Sequence, residues 1–436
     1  MLNVLKNRTF RHMFAAQMIA LVGTGLATVA LGLLAWQLAG ANAGAVLGTA
    51  LAIKMIAYVT LAPVAAALAE RLPRRAFLVT LDLIRAGVVL FLPFVTEVWQ
   101  IYLLIFLLQA ASAGFTPAFQ ATIPDVLPDE RDYTNALSLM RLTEDMEQLV
   151  SPMLAAALLT VVSFPVLFGG TVLGFAGSAL LVLTVALPAR TPAPPGRFWA
   201  STTKGLRLYL ATPRLRGLML MELAVASAGA MVYVNTVVLV QARFNLGAPQ
   251  VALAFAAFGA GSMLAAILLP RLLDRMADRP VMLAGAGLMV AGVAGVPLLQ
   301  GLAGLMALWA VIGFGFAFTQ VPIGRILNRS AQPADRPAVF AAQFALSHAA
   351  WLITYPLAGW LGSVYGLPQA AIGLAALGTL SMIAVIRLWP ALDPLLIEHQ
   401  HPELAPDHPH LSGTAPHAHA LVIDNLHRRW PRNVVA

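Results

Sequence analysis

The stretch Glu70-Arg71-Leu72-Pro73-Arg74-Arg75 recurs 204 residues later as Asp274-Arg275-Met276-Ala277-Asp278-Arg279, and this recurrence decides how the chain is organised. Both copies follow a long apolar run, and both place an acidic residue directly before an arginine. A second landmark obeys the same shift, because Pro152 and Pro356 also lie 204 residues apart. An internal repeat of this length predicts two halves with the same architecture.

The composition is that of a chain that crosses a membrane many times. Of its 436 residues, 59% are hydrophobic and only 11% are charged, and the mean hydropathy is +0.80. A bilayer core of ~30 Å needs about 20 apolar residues per helix. Twelve runs meet this length, at roughly 13–37, 45–69, 76–96, 99–121, 134–162, 165–187, 216–241, 250–270, 281–300, 302–324, 338–363 and 367–389. We therefore predict an all-α membrane protein with twelve transmembrane helices in two pseudo-symmetric six-helix bundles.

Polar segments divide the chain into four parts. Residues 1–187 and 216–390 hold six apolar runs each, and a tail follows at 391–436. The connector, residues 188–215, begins with four prolines and continues as a basic amphipathic stretch. Outside the predicted spans, lysine and arginine fall before the first span, in the connector, in the tail and in alternate loops, with Arg243 as the exception. This pattern predicts cytoplasmic termini in the bacterial inner membrane. It also accounts for the net charge of +8, so we expect membrane lipid and no nucleic acid as a partner.

The fifth predicted span contains the charged stretch Arg141-Leu142-Thr143-Glu144-Asp145-Met146-Glu147-Gln148. A charge at bilayer depth costs roughly 3 kcal/mol unless it faces water or a partner. The stretch is either a substrate or proton site lining a cavity between the halves, or an internal salt-bridge cluster. Under the 204-residue shift Glu144 corresponds to His348, and Glu222 is the lone carboxylate in the membrane core of the second half. The candidate substrate or proton pathway therefore comprises Arg141, Glu144, Asp145, Glu147, Gln148, Glu222 and His348.

These motifs resemble those of the major facilitator superfamily. In that family the loop after the second helix reads roughly Gly-x-x-x-Asp-Arg-x-Gly-Arg-Arg, and residues 66–75 follow it with three substitutions. Export-type members carry Gly-Pro-x-x-Gly-Gly in the fifth helix, where this chain has Ser151-Pro152-Met153-Leu154-Ala155-Ala156. The resemblance implies two six-helix bundles, antiport-type export and a substrate path near mid-membrane. It also implies ion pairs that latch the cytoplasmic gate in one state, with candidates Glu70, Arg71, Arg75, Asp82, Arg85, Asp274, Arg275 and Arg279.

The tail holds seven of the nine histidines, and six of them form three His-x-His units at a period of nine residues. Imidazole binds nickel, zinc, copper and cobalt, and histidine-rich tracts often bind metal. The alternative is a disordered basic tail with incidental histidines. Such a tail on this fold resembles the nickel-resistance exporters of the superfamily. The candidate metal ligands are His399, His401, His408, His410, His417, His419 and His427.

Three functions stay open. The first is proton-coupled export of a divalent metal, nickel before cobalt or zinc. The second is proton-coupled export of a drug, siderophore or other organic solute through a greasy cavity. The third, a membrane sensor that reads metal with its tail, is disfavoured by the repeat of two halves. An enzyme is not expected, since we find no nucleophile–base arrangement and no glycine-rich phosphate loop. We expect no cofactor, and we expect a monomer.

Overall fold

The computed structural model describes residues 2–69, 72–120, 122–187, 197–332, 335–391, 397–399 and 417–419, with positions 422, 423, 427 and 430. For some helical stretches, among them residues 62–69 and 144–149, it describes the backbone alone. Outside a short two-stranded ladder in the tail, the regular structure of the described residues is helical.

The described chain contains twelve long helices, six before the connector and six after it. The first half comprises α1 (Arg8–Ala39), α2 (Ala43–Ala69), α3 (Arg74–Phe91), α4 (Val98–Gln120), the short α5 (Ile123–Val126), α6 (Glu130–Leu158) and α7 (Pro165–Leu183). The connector contains α8 (Arg197–Ala211). The second half comprises α9 (Pro213–Val238), α10 (Ala248–Leu273), α11 (Asp278–Ala294), α12 (Leu302–Gln320), the short α13 (Ile323–Ser330), α14 (Arg336–Val364) and α15 (Leu367–Leu388). Each long helix coincides with one predicted run, and the predicted fold class is confirmed.

Nine stretches of the described residues are long and apolar enough to cross a membrane. The first of them, Arg8–Leu61, covers α1 and most of α2 together. The helix α11, with 17 residues, and α6, which carries the charged stretch, are not among the nine. The protein is therefore a multi-pass membrane protein whose least apolar long helix is α6.

Local sequence explains where several helices begin and why Arg243 lies outside the basic loops. Prolines stand in the first turns of α7, α9, α14 and α15, where a missing N–H costs no hydrogen bond. Pro152 and Pro356 both lie inside long helices, as the repeat requires. The side chain of Arg243 donates hydrogen bonds to the carbonyls of Val296, Pro297 and Leu299. This arginine therefore caps the turn after α11, which explains its position outside the basic loops.

The buried apolar core joins the two halves at one end of the molecule and consists of separate clusters at the other end. The end that carries the starts of α1 and α9 is called the connector face, and the opposite end is called the far face. At the connector face the described core residues form three clusters, one around Phe10 and Phe119, one around Tyr209 and Trp389, and a smaller one around Leu269 and Val281. Towards the far face a single cluster joins α1, α2, α9 and α14.

Close helix packing holds the halves together at the far face. A Cβ atom on Gly48 would collide with the carbonyl of Tyr355, and one on Gly359 would collide with the carbonyl of Gly44. Glycine at these positions lets α2 and α14 approach backbone to backbone. Within the second half, the side-chain amide of Asn235 on α9 donates to the carbonyl of Ala358 at 3.1 Å and so fixes α14 beside α9. The far face is thus closed in this structure.

Candidate functional site

A cavity of 350 Å³ lies between the two halves. One wall comes from α1, α2, α4 and α6 of the first half, and the other from α9, α10, α12 and α14 of the second. The first-half wall includes the polar side chains of Thr24, Thr28, Lys54 and Gln109. The second-half wall is aromatic and consists of Tyr233, Phe255, Phe258, Phe316, Trp351 and Tyr355.

The aromatic wall is a connected set of rings centred on Tyr233. Its ring centroid lies 5.8 Å from that of Phe258, 5.9 Å from that of Trp351 and 6.4 Å from that of Phe255. The absence of a side chain at Gly229 gives Trp351 room to lie against α9, because a Cβ there would collide with the indole ring. Such a wall is suited to the flat or apolar part of an organic molecule.

The opposite wall carries the cavity's charge. Leu47, Leu51 and Lys54 form one stripe of α2 along the cavity, and Lys54 is the one charged residue among the described lining residues. The hydroxyls of Thr24 and Thr28 donate to carbonyls one turn earlier in α1, at 2.9 and 3.0 Å. Their protons are therefore in use, and the hydrogen-bond donors on this wall are Lys54 and the amide of Gln109.

The charged stretch of α6 lies in a helix as predicted, but its key side chains fall outside the described ones. This applies to Arg141, Glu144, Asp145, Glu147 and Gln148. The backbone places Gln148 one turn before Pro152, which lines the cavity. The choice between a cavity site and a salt-bridge cluster stays a prediction.

His348 lies one turn before Trp351 on α14, beside the described cavity lining. Its Nδ1 atom lies 2.7 Å from the carbonyl oxygen of Phe344, and its ring centroid is 3.9 Å from the Phe344 ring. The ring of Tyr58, on α2, lies 6.0 Å away. Trp351 and Tyr355, predicted to share a face with His348, do line the cavity.

Glu222 lies apart from the cavity, in a buried polar network near the connector face. The residue is 3% exposed, and its carboxylate accepts hydrogen bonds from Gln343 at 2.9 Å and from Gln320 at 3.5 Å. The Tyr209 hydroxyl donates to the other end of the Gln343 amide. Burial, and after it the charge of Glu222, raises the pKa of the Tyr209 phenol, so the hydroxyl stays protonated. The network joins α8, α9, α12 and α14.

The predicted gate residues fall into different environments. Glu70 and Arg71 lie outside the described residues. Asp82 and Arg85 form a buried ion pair within α3; Ser178 of α7 donates to Asp82 at 2.7 Å. The Arg85 guanidinium lies 3.9 Å from the ring centroid of Phe115 and 4.5 Å from that of Phe175. These described contacts all lie within the first half.

Arg75 and Arg279 occupy equivalent positions in the two halves and have equivalent contacts. Arg75 donates to the carbonyl of Leu183 at the end of α7. Arg279 donates to the carbonyls of Trp389 and Ile386 at the end of α15. Both arginines thus satisfy the last carbonyls of a helix. Asp274 and Arg275 are exposed in the turn between α10 and α11.

Sequence analysis did not predict two ion pairs, one in each half, in which the acidic and the basic residue exchange places. In the first half Arg74 opens α3 and contacts Asp125 of α5 at 2.5 Å. In the second half the equivalent residue is Asp278, which opens α11 and lies 3.3 Å from Arg325 of α13. The 204-residue shift could have revealed the inversion, because it places Asp278 opposite Arg74.

The tail is partly described. The strand β1 (Ile397–His399) pairs antiparallel with β2 (His417–His419), with His399 opposite His417 and Ile397 opposite His419. His427 is buried, whereas His401, His408 and His410 lie outside the described residues. In the described part of the chain no group of three or more metal-ligating side chains comes together.

Comparison with known proteins decides the family. The model of the Major Facilitator Superfamily matches residues 13–242 and 223–423. The chain belongs to the major facilitator superfamily. It is therefore a secondary carrier of small solutes and not an enzyme. The resemblance to the nickel-resistance branch stays a prediction.

Two relatives show sequence similarity. The chain is 25% identical over 296 residues to the uncharacterized MFS-type transporter YfiS of Bacillus subtilis, which covers 64% of this chain and 68% of that protein. It is 27% identical over 152 residues to the Macrolide efflux protein A of Enterococcus faecalis, which covers 33% of this chain and 47% of that protein. The second match thus spans less than half of the relative's length.

Solved structures agree on the fold alone. A mutant of the nucleoside transporter NupG has a TM-score of 0.72 at 14% identity, covering 88% of this chain and all of that one. An inward-facing bacterial homologue of the lysosomal transporter Spinster has a TM-score of 0.66 at 14% identity, covering 88% and 95%.

Sequence reasoning missed most of the aromatic wall. Phe255 and Phe258 stand one turn apart on α10, and Trp351 and Tyr355 one turn apart on α14. Aromatic pairs at this spacing in two spans of one half were the available signal. Their convergence on Tyr233 depends on the arrangement of three helices, which the sequence does not show.

Proposed function

We propose that the protein exports an organic solute that binds in the cavity between the halves. The observation that carries the proposal is the aromatic wall of six side chains in the second half, opposite a polar wall in the first. A site that is mostly apolar with a few polar groups is typical of small organic ligands.

The described core supports a rocking movement of the halves. They pack tightly at the far face and have separate apolar clusters at the connector face. In a carrier with two repeats, cargo binds near mid-membrane and each face opens in turn. With the termini in the cytoplasm, as the arginine distribution predicts, the present state would load cargo from the cytoplasm. Similarity to part of a macrolide efflux protein also favours export.

The coupling ion in this proposal is the proton. The carboxylates of α6 and the buried Glu222 are the candidate carriers, since a proton-coupled cycle needs a group that binds and releases a proton. Glu144→Gln should then abolish proton-driven export with insertion unchanged, and full export by this variant would exclude Glu144.

A metal cargo finds less support in the cavity. The described lining offers the cationic Lys54, hydroxyls, amides and rings, but no carboxylate and no imidazole. Divalent metals require such ligands, and a nearby ammonium group repels a cation. The prediction of nickel export therefore rests on the tail and on the undescribed side chains of α6.

The test replaces one ring of the aromatic wall. Trp351→Ala should reduce export of a macrolide or a lipophilic dye by about tenfold, because truncating a central aromatic contact costs about 1.4 kcal/mol or more of binding. The measurement is accumulation in cells without competing pumps, with and without the gene. The matched control is Trp360→Ala on the same helix, where the indole is 51% exposed and outside the cavity lining.

Organic cargo would be excluded if these compounds accumulated equally with and without the gene while nickel tolerance depended on it. Equal effects of Trp351→Ala and Trp360→Ala would remove the cavity from the proposal.

A further inference from the structure

We infer that the cavity holds its organic cargo by an anionic group, at a polar pole formed by Lys54 and Tyr58 of α2 and His348 of α14. The inference rests on the proposed function, and it adds the chemical class of the cargo. The polar pole is defined by these three residues.

The three groups come together at the boundary between the halves. Lys54 lines the cavity, and Tyr58 follows it one helical turn later on the same face of α2. The ring of Tyr58 lies 6.0 Å from that of His348. His348 stands one turn before Trp351 of the aromatic wall. The polar pole thus adjoins the surface proposed for the cargo's apolar body.

The hydrogen-bond chemistry of the polar pole favours an acceptor. Lys54 is a donor only, and the phenol of Tyr58 can donate. At His348 the neighbouring carbonyl of Phe344 can only accept, so the Nδ1 proton is already donated within α14, and the donors of the polar pole are the Lys54 ammonium and the Tyr58 hydroxyl. On the rest of this wall the protons of Thr24 and Thr28 are already bound within α1. A carboxylate, sulfonate or phosphate on the cargo matches this arrangement.

The positive charge of Lys54 favours a cargo with a negative charge. An ammonium group within the bilayer span is costly without a compensating partner. Lys54 and Tyr58 have partners in the present state. The cargo anion would therefore replace these partners when it binds. A cationic cargo would instead be repelled, because charge–charge energies rise in a medium of low dielectric constant.

Because the polar pole lies at the boundary between the halves, a bound anion should also affect their movement. Lys54 and Tyr58 belong to the first half, whereas His348 belongs to the second. An anion bound between them contacts both halves, as does an aromatic body lying between the walls. Removal of the anionic group should therefore weaken binding and also slow the rocking of the halves.

The test compares three probes that share one ring system: 1-pyrenebutyrate, its methyl ester and 1-pyrenebutylamine. Binding is measured by pyrene fluorescence on the full-length protein in lipid nanodiscs at neutral pH. Wild type should bind the acid about tenfold more tightly than the amine, which corresponds to about 1.4 kcal/mol. Lys54→Gln should abolish this preference without weakening ester binding, and Lys54→Arg should retain it. Arg271→Gln, which removes an exposed charge at the end of α10, is the matched control and should leave the preference unchanged.

The outcomes separate the inference from the proposed function. Equal binding of acid and amine by wild type, or an unchanged preference in Lys54→Gln, overturns the inference while ester binding still supports organic cargo. If none of the three probes binds and Trp351→Ala leaves export unchanged, the proposed function fails with it. Tyr58→Phe, which removes one hydroxyl only, gives a second reading should Lys54→Gln not insert. It should lower acid binding about threefold, and an unchanged acid-to-ester ratio would count against the polar pole.

Discussion

At the scale of single residues, Glu222 is the clearest candidate for a proton carrier within the described part of the chain. Its two carboxylate oxygens accept from Gln343 and Gln320, an arrangement that suits the ionised form. The Gln343 amide oxygen accepts from the neutral Tyr209 hydroxyl, so turning the amide round would require this hydroxyl to change from donor to acceptor. On protonation the carboxyl becomes a donor and needs an acceptor. Gln320, at the end of α12, can supply its oxygen by rotating.

We expect Glu222→Gln to insert and bind cargo but to lose export driven by an imposed pH gradient. The new amide places a donor against donors, so stability should fall by about 1 kcal/mol. Transport by purified protein in liposomes, with and without a pH gradient, measures the effect. Glu97→Gln, at an exposed carboxylate, is the control. Undiminished gradient-driven export would assign the proton to another group, with the α6 carboxylates as the next candidates.

The sequence predicted Glu222 but not its partners. A lone carboxylate in an apolar span is conspicuous because of its cost in lipid. Gln320 and Gln343 lie 98 and 121 residues further along the chain, and only the packing of α9 against α12 and α14 brings them together. The same limit applies to Lys54, which was recognised as an intramembrane polar group and not as part of a site.

At the scale of elements, the twelve helices follow from apolar runs of bilayer length, whereas the short helices α5 and α13 do not. Each short helix is held by an ion pair to the start of a long one, with opposite polarity in the two halves. Asp278 at the first turn of α11 also interacts favourably with the helix dipole, whereas Arg74 at the start of α3 does not. Reversing the charge of the acidic residue should therefore destabilise the protein more in the second-half pair than in the first-half pair.

We expect Asp278→Arg to lower the melting temperature and Arg325→Asp, added to it, to restore part of the loss. The coupling energy should be about 0.5–1 kcal/mol, since the Arg325 side chain is 54% exposed and the pair is screened by solvent. Recovery should be incomplete because the reversed pair loses the dipole interaction. A double-mutant cycle in nanodiscs measures the coupling. Additive losses would show that the two charges do not stabilise the connector face together.

At the scale of the whole molecule, the internal repeat predicted two equivalent halves, and Arg75 and Arg279 show the equivalence in detail. The conformational state could not be predicted in this way. It depends on contacts between halves, such as those of Gly48 and Gly359, that concern pairs of residues distant in sequence.

Two described residues of the tail, Ile423 and Trp430, contact the second half. Ile423 is buried in the apolar cluster that contains Tyr209 and Trp389. The Arg214 guanidinium lies 4.7 Å from the ring centroid of Trp430. Two points of attachment of the tail are thus described: the end of α15, and the contacts of Ile423 and Trp430. The backbone register places His399 opposite His417 between these points.

Metal binding by the tail remains a prediction, and the register makes it specific. Opposite residues in an antiparallel ladder have Cβ atoms about 4.5–5.5 Å apart on one face, a spacing at which two imidazoles can share one ion. We expect the full-length protein to bind nickel at neutral pH and the double variant His399→Ala, His417→Ala to bind it at least tenfold more weakly. Since histidine must be neutral to act as a ligand, binding should weaken below about pH 6, given an ordinary pKa near 6.5.

Calorimetry on the intact protein measures this affinity, and Trp430→Ala is its control. That variant keeps every histidine and removes the contact with Arg214 and the packing of the indole against the apolar cluster of the second half, so its nickel affinity should stay within about threefold of wild type. Truncation after Pro394 should abolish nickel binding but retain export of organic cargo, because the cavity lies wholly within residues 24–355. Nickel affinity that survives loss of both His399 and His417 would contradict a site at the ladder. Organic export that failed on truncation would instead give the tail a part in the movement of the halves.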